Sequence, residues 1–217
     1  MVELVATLVI LTIALILLLF LKPALTRSQG GKLLAVIALF VLPFASLRAG
    51  FRLHFDETKT VPFCLSCHSM EVYGDSLLVA GETYLPANHF QNGRVDRRTA
   101  CFDCHTQYSL FGDLKAKMVG LQHLYVHYTG QTPDEIELYT PYLNRECMYC
   151  HTGGRRFEEL HDHDMASLAN NEISCLECHG GRERVHDVEN VPLAEKWIQD
   201  PQFRGLPTVR ELLKQQR

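Results

Sequence analysis

The chain has 217 residues and a formal net charge of −4, with 21 lysine and arginine residues against 25 aspartate and glutamate residues. This length suits one domain of ordinary size together with a short additional segment. The slightly acidic charge balance argues against a nucleic-acid-binding protein, and the hydrophobic residues, 47% of the total, are concentrated before residue 56.

The first predicted element is an apolar run over residues 2–21, interrupted by Glu3, Thr7 and Thr12. At about 1.5 Å per residue, a helix of this length reaches roughly 30 Å, the thickness of the hydrocarbon core of a bilayer. A cleaved signal peptide is the alternative, but the run lacks a basic n-region and a small-residue cleavage site. The pattern therefore predicts a transmembrane helix.

A second apolar run, over residues 33–47, is shorter, about 22 Å by the same helical rise. Apolar residues just after it can lengthen the helix, while Arg48 and Arg52 extend towards the headgroups. Pro43 is expected to kink it. Residues 1–55 are thus predicted to form a membrane anchor of two transmembrane helices.

All eight cysteines fall into four Cys-x-x-Cys pairs, and a histidine follows each pair directly. Two thiols at this spacing can bond the two vinyl groups of one porphyrin, and the next residue offers an imidazole to the iron. Zinc sites also use Cys-x-x-Cys pairs, but four adjacent histidines and no unpaired cysteine favour haem. The sequence predicts four covalently bound haem c groups. They attach at motif 1 (Cys64, Cys67, His68), motif 2 (Cys101, Cys104, His105), motif 3 (Cys147, Cys150, His151) and motif 4 (Cys175, Cys178, His179).

The gaps between successive motifs are 32, 41 and 23 residues, which is too uneven for a solenoid. Haem groups would replace much of the usual apolar core. The predicted fold is therefore mainly α with irregular loops: an N-terminal transmembrane helical hairpin followed by a compact tetrahaem domain at residues 56–190. Residues 191–217 are predicted to be a polar tail, with a short helix beginning at the capping pattern Thr208 to Glu211.

Covalent haem attachment is normally completed outside the cytoplasm, so the haem domain is expected to face the periplasm. Between the two apolar runs, Lys22, Arg27 and Lys32 form a basic turn that the positive-inside tendency places in the cytoplasm. The predicted location is the bacterial inner membrane.

Each iron has two axial positions, and a motif histidine can fill only one of them. His123 and His127 share one face of a predicted helix, so that one imidazole can reach an iron. His161 and His163 are two residues apart, and only one of them is expected to bind. The histidines outside the motifs are His54, His89, His123, His127, His161, His163 and His186.

Two further ligand candidates stand close to motif residues. His186 lies seven residues after His179, and a turn at Gly180 and Gly181 can bring it onto a neighbouring haem. Met70 follows motif 1 by two residues, and either Met70 or His68 can bind the first iron, because a thioether is a known haem ligand. A methionine that only fills space at the haem edge is the alternative.

The sequence resembles the NapC/NirT/NrfH family of membrane-anchored tetrahaem cytochromes c. The resemblance covers residues 33–186 and rests on three segments: residues 63–70 (FCLSCHSM) after a membrane helix, residues 92–105 around motif 2, and residues 175–181 (CLECHGG). It implies a quinol dehydrogenase that draws electrons from the membrane quinol pool and passes them to a periplasmic reductase. The family usually has one anchoring helix, so the helix at residues 2–21 is a departure.

The resemblance also implies the ligands. The first haem would take Met70 and keep its other side open near Asp103, while the other irons would have two histidine ligands. The distal histidines implied by the matching positions are His127, His163 and His186, with His123 and His161 as substitutes.

Quinol oxidation needs an iron near the lipid surface and a base within hydrogen-bond reach of the quinol hydroxyl. Motif 1 follows the second apolar run closely, and Asp103 is the predicted base. His89 and Arg98, or the neighbouring Arg94 or Arg97, would orient the headgroup, although these arginines can instead pair with haem propionates.

The predicted function is oxidation of a quinol, such as menaquinol, by a subunit of a hetero-oligomeric complex. Its partners would be membrane lipid, the quinol pool and a periplasmic reductase or other redox subunit, with no nucleic acid. One alternative is a non-catalytic electron-transfer and anchoring subunit without its own quinol site. Reduction of a small oxyanion at an open haem is less favoured, because enough histidines exist to close most irons.

Overall fold

The structure, a computed structural model, describes residues 2–81, 84–133, 136, 138–180, 185–186 and 192–215. These residues form helices joined by irregular segments, and the β pairing among them is one isolated antiparallel bridge between Val79 and Leu193. The predicted mainly α class is confirmed. The chain divides into two compact units, Met1–Lys59 and Thr60–Arg217.

Two long helices make up the first unit: α1 (Val2–Leu21) and α2 (Gln29–Glu57). Their mean hydropathies of 3.2 and 2.1, together with their lengths, make both able to cross a membrane. A 3₁₀ turn, Pro23–Arg27, joins them, and the Ser28 hydroxyl caps α2 by accepting from the Gly31 N–H (3.0 Å). The predicted pair of membrane-spanning helices is found, and the second is longer than the apolar run indicates.

Helix α2 departs from α geometry at Ile37–Val41, which form a π-helical turn just before Pro43. Proline has no N–H, so the carbonyl of Leu39 has no donor four residues further on. A π turn is one way in which a helix accommodates such a gap in its hydrogen-bond ladder. The irregularity expected at Pro43 therefore takes the form of a π turn.

The second unit consists of shorter helices. They are α3 (Val61–Cys64), α4 (Glu71–Asp75), α5 (Leu85–Gln91), α6 (Ala100–His105), α7 (Gly112–Tyr128), α8 (Asn144–His151), α9 (Arg155–His161), α10 (Met165–Ala169), α11 (Cys175–His179), α12 (Glu195–Ile198) and α13 (Pro207–Gln215). Two 3₁₀ turns, His68–Met70 and Pro201–Phe203, complete it.

The apolar core of the second unit lies beside the helices of motifs 1 and 2. Phe90 meets Trp197 and Phe203 edge to face, with ring centroids 5.1 and 5.5 Å apart, an arrangement that aromatic pairs favour. Val61, at the start of α3, and Ala100, at the start of α6, are buried in the same cluster. The core therefore fixes the two helices on which the first two motifs begin.

The C-terminal segment belongs to this core, although its polar composition predicts a tail. Its buried core residues are Trp197, Ile198, Phe203, Leu206 and Val209. The last helix, α13, begins at Pro207, one residue before the predicted start. Thr208 therefore lies inside the helix, and its hydroxyl donates to Asp75 Oδ2 (2.9 Å) instead of capping the first turn.

Candidate functional site

Each haem-attachment motif lies on or directly after a short helix. Motifs 2, 3 and 4 occupy α6, α8 and α11, whereas motif 1 begins at the end of α3 and finishes in the following turn. Within the described part of the chain, no group of three or more His, Cys, Asp or Glu side chains is arranged to hold a metal ion.

Motifs 1 and 2 are in direct contact. The Val61 N–H donates to the carbonyl of Arg98 (2.8 Å), which ties the start of α3 to the residues before α6. The side chains of Cys64 and Cys101 lie in contact with each other. Because Asp103 lies on α6, the contact places its helix directly against motif 1.

A stacked pair of tyrosines joins motif 2 to motif 3. The rings of Tyr108 and Tyr149 lie 4.0 Å apart and nearly parallel, at 10°. The Tyr108 hydroxyl donates to the carbonyl of Asp103 (2.7 Å), and the Tyr142 hydroxyl donates to that of Cys104 (2.7 Å). Burial raises the pKa of Tyr108, so its hydroxyl remains a neutral donor.

Motifs 3 and 4 are joined by the buried side chain of Asn144, the first residue of α8. Its Nδ2 group donates to the carbonyls of Leu168 and Ile173, and its Oδ1 accepts from the Cys175 N–H (2.8 Å). Its own N–H donates to Asn171 Oδ1 (2.7 Å). Every polar group of this side chain therefore helps to hold α8 against the start of motif 4.

We expect Asn144→Ala to lower the free energy of unfolding by about 2–4 kcal/mol, because buried carbonyls and an N–H lose their partners at roughly 1–3 kcal/mol each. Thermal unfolding of the haem-loaded protein in detergent measures this. Asn171→Gly is the matched control, since it removes one bond and glycine suits the positive φ of 56° at this position. If Asn144→Ala and Asn171→Gly lowered the free energy of unfolding equally, the Asn144 side chain would have no special role in joining the two motifs.

Three motif histidines each face one histidine from outside the motifs. The ring centroids of His105 and His186 are 5.9 Å apart. The corresponding distances are 6.1 Å for His151 and His89 and 6.0 Å for His179 and His161. An imidazole nitrogen binds a first-row metal ion at about 2 Å, so two rings on opposite sides of one iron have centroids roughly 6 Å apart. Each of these pairs of rings would therefore be able to hold one haem iron.

In each of the three histidines from outside the motifs, a hydrogen bond at Nδ1 fixes the orientation of the ring. His89 Nδ1 donates to the carbonyl of Leu85 (2.9 Å), and His161 Nδ1 donates to that of Phe157 (2.8 Å). His186 Nδ1 lies 2.8 Å from the hydroxyl of Ser76. In each ring Nε2 is left to bind a metal, the arrangement that metal-ligating histidines normally show.

Ser76 accepts the hydrogen bond from His186. Its single hydroxyl hydrogen points to the carbonyl of Tyr73 (2.7 Å), so the Nδ1–H of His186 must donate. Burial, and then the charge of His105, lowers the pKa of His186 to about 4, which keeps this imidazole neutral. Sequence reasoning missed Ser76, and no spacing or motif marks it.

The structure places the other predicted distal ligands elsewhere. His127 packs against the ring of Tyr128 (5.3 Å), and His163 Nε2 lies 3.3 Å from Asp164 Oδ2 at an exposed position. Among the described residues, neither has a ring contact with a motif histidine. His123 lies near His105 and packs on Tyr139 (4.9 Å), and burial lowers its pKa.

At motif 1 the two candidate ligands differ in exposure. The His68 side chain is 90% exposed, and its Nδ1 lies 2.8 Å from Glu71 Oε1. Met70 is partly buried at the end of the same 3₁₀ turn. Both remain predicted ligands of the first iron.

Asp103 is half-buried, and this burial raises the pKa of its carboxyl group. The hydrogen bond that Thr99 Oγ1 donates to Asp103 Oδ2 (3.1 Å) lowers the pKa, but its effect is smaller than that of burial. Arg98, predicted beside Asp103, is exposed just before α6. His89, also predicted near the quinol, instead faces His151. Of the predicted catalytic residues, Asp103 and Arg98 therefore belong to the region of motifs 1 and 2, whereas His89 lies at motif 3.

The three arginines before α6 have different surroundings. Arg97 lies over the ring of Trp197 (4.8 Å) and donates to the carbonyls of Phe90 and Gln91, which makes it part of the core packing. Arg94 interacts with His151. Arg98 is exposed, and its backbone carbonyl accepts from motif 1.

Comparison with known proteins identifies a family and several relatives. Residues 26–191 match the NapC/NirT cytochrome c family, N-terminal region. The cytochrome c-type protein NapC of Haemophilus influenzae is 26% identical over 174 residues, 70% of this chain and 79% of NapC. The cytochrome c nitrite reductase subunit NrfH of Nitratidesulfovibrio vulgaris is 24% identical, covering 79% of this chain and 89% of NrfH.

The cytochrome c-type protein TorC of Escherichia coli is 30% identical over 166 residues. These are 67% of this chain but 38% of TorC, so the chain spans little more than a third of that relative. No solved structure matches the chain.

Proposed function

The chain belongs to the NapC/NirT cytochrome c family, and from this premise we propose that it oxidises a membrane quinol and passes the electrons to a periplasmic redox partner. Membership makes the protein a c-type cytochrome of electron transport, with covalently bound haem c. The number of haem groups, the substrate and the partner belong to the proposal.

Four haem groups are proposed, one on each cysteine pair. Bound haem supplies an iron that accepts one electron at a time. The ring separations support His186 opposite His105, His89 opposite His151, and His161 opposite His179. The proposal therefore prefers His89 and His161 as distal ligands over His127 and His163, which the family resemblance implies. Met70 remains the proposed ligand of the first iron.

The observation that carries the quinol proposal is the contact between α6 and motif 1, because it brings a carboxylate to the proposed entry point for electrons. Asp103 would accept the proton of the quinol hydroxyl, held in position by the Thr99 hydroxyl. Arg98, exposed just before α6, would orient the headgroup. Oxidation of the quinol to the quinone releases two electrons and two protons in all.

The contacts between motifs support one route for these electrons. Motif 1 meets motif 2 through Cys64 and Cys101, and motif 2 meets motif 3 through the stacked tyrosines. Motif 3 meets motif 4 through Asn144 and Cys175. Electrons entering at motif 1 would leave near motif 4.

The partner is proposed by analogy with one relative. NrfH is named as a subunit of cytochrome c nitrite reductase, so a periplasmic reductase in a hetero-oligomeric complex is the proposed acceptor. The two apolar helices support an inner-membrane location, and extracytoplasmic haem attachment supports a haem domain that faces the periplasm.

A direct test is reduction of the purified, haem-loaded protein in lipid nanodiscs by a menaquinol analogue. We expect the haem absorbance to change to that of the reduced form without any added protein. A non-catalytic electron-transfer subunit would be reduced by dithionite or by its donor protein but not by the quinol, and that result would refute the proposal.

A further inference from the structure

His186 is oriented by a side chain, whereas the backbone orients the other two proposed distal ligands. His89 and His161 each donate from Nδ1 to the carbonyl group four residues earlier in the same helix. The partner of His186 Nδ1 is the hydroxyl of Ser76, at 2.8 Å, which lies 110 residues earlier in the chain. A single substitution can therefore remove the group that orients His186.

The Ser76 hydroxyl is committed to accepting this hydrogen bond. Its hydrogen is donated to the carbonyl of Tyr73 (2.7 Å), so only the oxygen lone pairs are left for His186 Nδ1. Ser76 is 0% exposed, so bulk water does not compete for the Nδ1 hydrogen. Nδ1 therefore carries the hydrogen of the neutral imidazole, and Nε2 is the nitrogen left to bind iron.

The segment that follows Ser76 holds the hydroxyl in a fixed position. Leu78 and Val79 are fully buried. The Nε2 group of Gln91, on α5, donates to the carbonyls of Leu77 (3.0 Å) and Val79 (2.8 Å). Ser76 therefore stands on a packed part of the core, which is the support that a precisely oriented metal ligand needs.

A haem group bound between His105 and His186 would leave the bond to Ser76 in place. The two ring centroids are 5.9 Å apart, and the ring planes are within 20° of parallel. The iron would bind Nε2 of His186, whereas the bond to Ser76 uses Nδ1, the other ring nitrogen. The two interactions therefore do not compete for the same atom.

We propose that Ser76 is a positioning residue for the haem of motif 2. Its hydroxyl fixes the ring plane of His186 and, by accepting the Nδ1 hydrogen, makes this imidazole a stronger electron donor to the iron. A stronger donor stabilises the ferric state more than the ferrous state, which lowers the reduction potential of this haem. The inference rests on the proposed pairing of His186 with His105, but not on quinol as the substrate.

The angle between the two axial rings gives this haem a signature of its own. The ring planes of the three proposed pairs meet at 20° for His105 and His186, 74° for His151 and His89, and 45° for His179 and His161. Near-parallel imidazole planes give a low-spin ferric iron a rhombic electron paramagnetic resonance (EPR) spectrum, whereas near-perpendicular planes give one signal at a large g value. The haem that Ser76 affects is therefore expected to be the most rhombic of the three.

The test uses Ser76→Ala and Ser76→Cys in the full-length, haem-loaded protein, with a redox titration followed by absorbance and EPR. Cysteine keeps nearly the same shape and a hydrogen for the Tyr73 carbonyl, but its sulfur is a weak acceptor. In both variants we expect the reduction potential of one haem to rise and the rhombic signal to shift, while the other haem groups stay unchanged.

Tyr73→Phe is the matched control. It removes a hydroxyl that donates to the carbonyl of Ile136 (3.2 Å), but keeps the ring, 5.5 Å from that of His186, and the backbone carbonyl that accepts from Ser76. We expect the potentials and the EPR spectrum of this variant to match those of the unchanged protein. An equal shift in Tyr73→Phe would overturn the inference, because it would show a general loosening of the site.

His186→Ala separates this inference from the ligand assignment on which it rests. We expect the variant to contain one high-spin iron. If every iron stayed low-spin, the pairing with His105 and the inference would both be overturned. A high-spin iron in His186→Ala, together with unchanged potentials and EPR spectra in both Ser76 variants, would overturn the inference alone, whatever the outcome of the quinol assay.

Discussion

Asp103→Asn is expected to slow reduction of the haem-loaded protein by a quinol analogue by about two to four orders of magnitude, the usual contribution of a general base. Asparagine has nearly the same shape and can still accept from the Thr99 hydroxyl, but it cannot take up the quinol proton. Stopped-flow absorbance in nanodiscs measures the rate. The haem content of the variant should match that of the unchanged protein.

Two controls separate proton transfer from a general loss of negative charge. Asp113→Asn makes the same change nearby, on α7, and is expected to leave the rate within a few-fold. Dithionite reduction of the Asp103 variant should remain fast, because dithionite needs no base in the protein. If Asp103→Asn retained full quinol reduction, another group would have to accept the proton.

The sequence is informative where the chemistry depends on local spacing. The four motifs need only a Cys-x-x-Cys pair and the next residue, and the two membrane-spanning helices need only length and composition, so both could be predicted. Asp103 lies inside motif 2, and its place beside motif 1 depends on the hydrogen bond between Val61 and Arg98. The family resemblance implies that Asp103 lies near the first haem, but the spacing of residues in the sequence does not predict it.

The pairing of histidines could not be predicted, because it depends on contacts between distant segments. His89 and His151 belong to α5 and α8, and their separation in the chain contains no pattern that links them. In the sequence His89 lies near the arginines, which predicts a role at the quinol headgroup. In the structure its backbone partner, Leu85, holds it towards motif 3 instead.

The C-terminal segment illustrates a different limit. Helix α12 has four residues, too few for a periodicity that would predict a buried face. Trp197 and Phe203 are buried because they meet Phe90, which lies more than a hundred residues earlier in the chain. Its composition predicts a polar tail, whereas its aromatic contacts with Phe90 make the segment part of the core.

The choice between His161 and His163 can be decided by replacing each with alanine. His161→Ala is expected to convert one haem from a low-spin to a high-spin iron, because it removes the ring whose centroid lies 6.0 Å from that of His179. His163→Ala removes an exposed ring beside Asp164 and should leave all haem spectra unchanged. Electron paramagnetic resonance and potentiometric titration of the purified proteins measure both effects.

Added imidazole distinguishes loss of a ligand from a structural defect. A free imidazole can occupy the axial position in His161→Ala and is expected to restore the low-spin signal, whereas a misfolded domain would not recover. The hydrogen bond that His161 Nδ1 donates to the carbonyl of Phe157 favours His161 as the proposed ligand, because it leaves Nε2 to bind the iron. A high-spin haem in His163→Ala, with normal spectra in His161→Ala, would reverse the assignment and restore the ligand that the family resemblance implies.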